Sequence, residues 1–255
     1  MSAPPPVRCE MRERVVVAHL EHGVNALDDE LLASLDAELA RLAGAGAPPL
    51  VLASAHPSIF CPGLDLKRLD GRRRDAMRPF MLLFLAVLRR LATYPGPTVA
   101  AVSGHAIAGG CLLALACDRR IMARADARLG LSEINLGIPV PAGAVYLLRT
   151  LYPARAVEYL VLDGDGFGGE RALELGLVER LAERDAVLGE AVRTASHLGS
   201  RPPRAYAAAK AILREGLGEA MAARDAAELE EFLDLWFDPG TQDRIGAQVA
   251  RLRRR

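Results

Sequence analysis

Long apolar runs are missing from this chain of 255 residues; the longest covers residues 80–88. A helix needs roughly 20 apolar residues to cross a bilayer, so no membrane span is expected. Net charge is missing too, because Lys plus Arg and Asp plus Glu each total 32. A general nucleic-acid binder would carry a clear positive excess. Two local exceptions, GRRRD at 71–75 and RLRRR at 251–255, read as a solvated loop and tail rather than binding patches. Cysteine is scarce: Cys9, Cys61, Cys111 and Cys117 have no CxxC spacing and no accompanying His cluster. That argues against zinc, and no metal centre is expected. The opening MSAPPPVRCE has no apolar signal core. It reads as a short disordered lead, with reduced thiols in a cytoplasm as the default.

What is present fits a globular α/β chain. Apolar residues make up 51% and charged residues 25%, an ordinary balance for a soluble domain, and the length suffices for one core with a smaller appendage. VRCEMRERVVVAHL reads as two short strands around a turn. DDELLASLDAELARLAGAG has apolar residues at helical spacing, an acidic start and a glycine-rich end. Buried strands are expected at 48–54 and in TVAAVSG, with two strand-like pieces in DRRIMARADARLGLSE. A helix is expected over 75–93, where Pro79 is tolerable only in the first turn or at a kink. Further helices are expected at 141–150, 153–161, 169–175, 183–199, 203–215, 218–237 and 240–252. Strands and helices alternate to about residue 182, and helices alone follow.

The chemistry-bearing stretches carry few polar side chains. AGGCLLALACD (108–118) places Gly109 and Gly110 at the start of an almost wholly apolar helix. The first amides of a helix lack intrahelical partners and favour a negative oxygen. Glycine there either exposes those amides to a ligand or lets the helix pack closely, and the stretch alone does not choose. SIFCPGLDLKRL (58–69) is a Pro/Gly turn after a strand that can aim another amide at the same cavity.

Together, IFCPGLDL (59–66), SGHAIAGGCLLALACDRRI (103–121), GLSEINLGIP (130–139) and ALELGLVERL (172–181) resemble, in that order, the crotonase or enoyl-CoA hydratase/isomerase superfamily. The resemblance runs from Val15 onward. It implies a crotonase-like ββα spiral core over residues 1–195 and a helical C-terminal oligomerisation region over 196–255. It also implies a homotrimer or hexamer, an acyl-CoA substrate and no separate cofactor, coenzyme A being part of the substrate. The backbone N–H groups of Leu64 and Gly109 would form an oxyanion hole for the thioester carbonyl. Cys61, Pro62, Gly63, Asp65, Lys67, Gly110, Leu112 and Ser132 would line the substrate.

Similar hydratases carry two glutamates. The first falls on Leu112 here and is absent; the second is Glu133. Hydration needs one group to activate water and another to deliver a proton. One carboxylate suffices to take a proton from C2 of a 3-enoyl thioester and return it at C4. HGVNALDDELL (22–32) and the two glycine stretches look closest to the mitochondrial-type Δ3,Δ2-enoyl-CoA isomerases, which also carry an apolar residue at the first position. The expectation is therefore an isomerase. Hydration, thioester hydrolysis and decarboxylation stay as alternatives, and a non-catalytic acyl-CoA binder is the reading from another class. On their own, Glu133 could be a structural carboxylate before Gly137, Cys61 small-residue packing and His105 a hydrogen-bonded structural residue. Asp65 is expected to cap a short helix, Asp118 to be structural, and Lys67 and Arg68 to meet CoA phosphates or simply lie exposed. Phe232, Leu235 and Trp236 form a stripe that would pack between subunits or within one chain.

Overall fold

The wholly apolar stretches become strands buried on both faces. In the computed structural model, which describes residues 5–254, β1 (Val7–Arg12) and β2 (Val15–Leu20) form a hairpin. Every residue of β2 is buried. Helix α1 (Asp29–Gly44) follows, started by Asp28, whose Oδ1 accepts the Leu31 N–H at 2.9 Å. Its Leu31, Leu32, Leu35, Leu39 and Leu42 face the core, as the helical spacing predicts.

The chain then repeats one path three times. Strand β3 (Leu50–Ser54) leads to β4 (Ile59–Cys61) and the helices α2 (Leu66–Leu69) and α3 (Arg74–Ala92). Strand β5 (Thr98–Val102) leads to β6 (His105–Ile107) and α4 (Gly109–Ala116). Strand β7 (Arg119–Ala123) leads to β8 (Leu129–Gly130), α5 (Glu133–Leu136), α6 (Ala142–Leu151) and α7 (Ala154–Leu162). The first strand of each turn joins a six-stranded sheet of order β1-β2-β3-β5-β7-β10; the second joins a four-stranded sheet of order β4-β6-β8-β9. Strand β9 (Gly166–Phe167), α8 (Gly169–Glu174) and β10 (Arg180–Ala182) complete both sheets. The result is an α/β ββα spiral.

Helices α9 (Val187–Gly199), α10 (Pro203–Leu213), α11 (Leu217–Trp236) and α12 (Pro239–Arg253) finish the chain. The division expected at 195/196 falls inside α9, which packs on β5 and β7. Helix α11 packs on α6 and α3, and α12 on α2 and α5. Phe232 and Trp236 are buried within this single chain, whereas Leu235 is part exposed. No helix among the described residues is long and apolar enough to cross a membrane.

Several expectations need correction. Part of the stretch expected as a disordered lead belongs instead to the hairpin expected from Val7, since Val7 pairs with Leu20; residues 1–4 lie outside the described residues. The tail around Arg251 is helical to Arg253. The 58–69 turn contains β4, and a strand, β6, separates TVAAV from the glycine helix. Helix α9 starts at Val187, after a 3-10 turn at Arg184–Ala186, rather than at 183. Pro79 sits beyond the first turn of α3. It lies on the exposed side, where water can bond the carbonyl that its missing N–H leaves free.

Candidate active site

The start of α4 lies against the end of β4 because both glycines make room. A Cβ on Gly110 would overlap the Cys61 carbonyl oxygen and lie 2.7 Å from Cys61 Cβ. A Cβ on Gly109 would lie 2.9 Å from Leu27 Cδ1. Close packing, left open by the sequence, is therefore a real reason for these glycines. The same closeness brings two free amides together. Gly63 (φ 93°) is so near that a Cβ on it would lie 3.2 Å from the Gly109 nitrogen. Beyond Gly63, Leu64 bridges Leu27: the Leu27 N–H donates to Gly63 O at 2.8 Å, and the Asp65 N–H to Leu27 O at 2.9 Å. The N–H groups of Leu64 and Gly109 themselves have no protein acceptor among the described residues.

Ala108, before Gly109, holds φ 51° and ψ −123°, a strained backbone for a residue with a Cβ. Its N–H donates to Gly130 O at 2.8 Å, and its carbonyl accepts the Leu112 N–H at 3.0 Å. These bonds fix the peptide that presents the Gly109 amide. No sequence signal marks Ala108, because glycine would be the expected residue at such a φ.

Glu133 opens α5 and is only 8% exposed. Its Oε2 has no hydrogen-bond partner among the described residues. Burial lifts its carboxyl from an ordinary 4.5 to about 7, opposed in part by the backbone N–H groups of Glu133 and Ser132. It acts electrostatically on the Cys111 thiol of α4, which burial and this carboxylate hold well above the usual thiol range. Gly130, three residues before it, accepts the Ala108 N–H at 2.8 Å, which keeps Glu133 near the start of the glycine helix. Leu112 is fully buried. Of the other buried carboxylates, Asp28 and Asp118 are ion-paired elsewhere, and Asp225 accepts the Gly143 N–H on one oxygen while the other has no partner among the described residues.

The remaining candidates divide. Cys61 is fully buried and its thiol is pushed up to about 12, so it packs rather than attacks. Asp65 caps α2, accepting from the Lys67 and Arg68 N–H groups at 3.0 and 3.2 Å. Lys67 is exposed and in no ion pair among the described residues. Arg68 is not equivalent to it: Arg68 pairs with Asp28 at 2.9 Å, and Asp28 also meets His22 Nε2 at 2.7 Å. Pro62 and Ser132 are half-buried, and the Ser132 hydroxyl makes no capping bond. The His105 ring makes no hydrogen bond among the described residues, contrary to expectation; its backbone N–H donates to Ser58 O at 3.0 Å. Asp118 is structural as expected, bonded to Lys210, Arg214, Tyr206 and the Thr98 N–H.

A ββα spiral that brings two free amides close together and buries a carboxylate in no ion pair among the described residues is the combination the family comparison accounts for. The chain matches the family model "Enoyl-CoA hydratase/isomerase" over residues 10–238; it belongs to that family and is a crotonase-type enzyme. The short-chain-enoyl-CoA hydratase of Clostridium acetobutylicum is 28% identical over 247 residues, covering 96% of this chain and 93% of that protein. The 2,3-dehydroadipyl-CoA hydratase of Escherichia coli is 33% identical over 236 residues, covering 91% and 88%. The crystal structure of human mitochondrial delta3-delta2-enoyl-CoA isomerase superposes with a TM-score of 0.92 at 27% identity, covering 98% of each chain.

Proposed function

We propose that the protein is an enoyl-CoA isomerase that moves the double bond of a 3-enoyl-CoA to the 2-trans position. The observation that carries this reading is Glu133, a buried carboxylate with one oxygen unpartnered, beside a glycine helix whose inward position 112 is leucine. The thioester oxygen accepts hydrogen bonds from Leu64 N–H and Gly109 N–H. Glu133 removes a proton from C2, and the electron pair delocalises through C1 onto that oxygen and through the C3–C4 double bond onto C4, as a dienolate. The protonated Glu133 returns the proton at C4, leaving the double bond between C2 and C3. A carboxyl near 7 suits both steps, because it accepts and releases a proton with little driving-force penalty at neutral pH. Lys67 supplies a free cation for the CoA phosphates. A homotrimer or hexamer belongs to the same reading; exposed Ile212 and Leu213 on α10 support it, and light scattering measures it.

The names of the hydratase relatives favour a second reading, hydration of a 2-enoyl-CoA. It lacks a second carboxylate at position 112, which is leucine; Asp28 is held by His22 and Arg68, Asp118 by Lys210 and Arg214, and Asp225 by the Gly143 N–H. A panel of 2-enoyl- and 3-enoyl-CoAs separates the two. Isomerisation exceeding hydration supports the first reading; fast hydration with no isomerisation replaces it by the second.

A further inference from the structure

Glu133 stands on a four-residue helix, too short to hold a side chain by its own cooperativity. Its backbone is instead fixed from downstream: the Ile138 N–H donates to Glu133 O at 3.3 Å, and the Gly137 N–H to Ile134 O at 3.1 Å. Two residues of the C-terminal helices grip that downstream segment. Thr241 of α12, 2% exposed, donates its hydroxyl to Gly137 O at 3.3 Å. Asp225 of α11, 6% exposed, accepts the Gly143 N–H on Oδ1 at 2.8 Å. Both contacts are close: a Cβ on Gly137 would lie 2.6 Å from the Thr241 hydroxyl oxygen, and one on Gly143 about 2.5 Å from the Asp225 carboxylate.

Between the two grips run Ile138-Pro139-Val140-Pro141. Two prolines fix φ there, so a shift at either grip passes along the segment instead of being absorbed. Asp225 is also a poor device for stability alone. Its Oδ2 has no partner among the described residues, and no cation is bonded to it. An unsatisfied buried carboxylate oxygen costs more than a simple cap returns.

Resting on the reading of Glu133 as proton carrier, we propose that Asp225 and Thr241 are positioning residues. From α11 and α12 they hold the 137–143 backbone so that the Glu133 carboxylate stays buried beside α4. The helical C-terminal region is thus part of the catalytic machinery of its own chain.

The test uses Asp225→Ala, Asp225→Asn and Thr241→Val in the full-length protein, with two readouts. One is kcat and KM on 3-hexenoyl-CoA. The other is the titration of Glu133 by carbon NMR on glutamate-labelled protein, assigned by its loss in Glu133→Gln. Asp225→Ala should lower kcat at least about tenfold, as small misplacements of reacting groups do, with KM within about twofold. Thr241→Val should lower kcat by a smaller factor, about threefold on the same grounds. In both, the Glu133 titration should fall from near 7 toward 4.5. Asp225→Asn keeps the acceptor for Gly143 and should restore both readouts. Unchanged Glu133 titration in both Asp225→Ala and Thr241→Val overturns the proposal, whatever happens to the rate. If Asp225→Ala does not fold, Thr241→Val and Asp225→Asn decide it by the same criteria. Equal isomerase rates for wild type and Glu133→Gln would instead refute the proton-carrier reading, while the titrations still decide whether the C-terminal helices hold Glu133.

Discussion

Asp118 and Glu133 are equally buried, at 8% exposure each, and live in opposite surroundings. Asp118 accepts from Lys210 and Arg214 at 2.8 Å each, from the Thr98 N–H at 2.9 Å and from the Tyr206 hydroxyl at 3.1 Å. It ties α10 to the start of β7, and Lys210 donates onward to Gly96 O at 3.0 Å. Burial pulls the Lys210 ammonium down to about 8 despite the attraction of Asp118. Among the described residues Glu133 has no cation partner, and one of its oxygens has no partner at all. A carboxylate surrounded by donors ties elements of the fold together; one desolvated by burial with no cation to hold it is left ready to take up and release a proton. The first arrangement serves the fold and the second the reaction.

Removing each carboxylate should therefore have opposite effects on stability. Asp118→Ala leaves two buried cations without a counterion, which costs about 3–5 kcal/mol; urea unfolding measures the loss. Glu133→Gln should stabilise the protein at pH 8. The Glu133 carboxyl is raised on folding, so between about 4.5 and about 7 the folded state holds a proton that the unfolded state has released. Its contribution to stability falls across that window and stays low above it. The gain at pH 8 is about 3 kcal/mol, and it disappears near pH 4.5; unfolding at the two pH values checks the sign. Gly110→Ala probes the close approach between the two surroundings. The added Cβ overlaps the Cys61 carbonyl, a backbone group that cannot swing away, so about 1–3 kcal/mol of stability is lost and kcat falls with it. Lys67→Ala should have the smallest effect: a rise in KM of a fewfold with kcat unchanged, as expected for removal of an exposed charge that meets the substrate equally in ground and transition states.

The same comparison shows what was legible in the sequence. Helix α1 was readable because its leucines follow the helical period and Asp28 and Gly44 mark its ends. Strands β3 and β5 were readable as short apolar runs. Strand β4 was not, because its three residues lie in a Pro/Gly-rich stretch and pair only with distant β6. Glu133 was readable as a candidate from its motif, and so were the two glycine stretches. The reason for the glycines was only half readable: that Gly110 faces the Cys61 backbone is a fact of tertiary packing. The Asp225–Gly143 contact spans 82 residues, and nothing near either residue announces it. Ala108 carries its strain without the glycine that would have flagged it.

One measurement bears most directly on the whole account: the isomerisation rate of Glu133→Gln on 3-hexenoyl-CoA, with binding of a CoA ester measured alongside. The glutamine keeps the shape of the side chain and removes the proton carrier. The account predicts a loss of about 10²–10⁴ in kcat, the usual contribution of a general acid–base group, with CoA-ester binding unchanged. Full activity in this variant would contradict it.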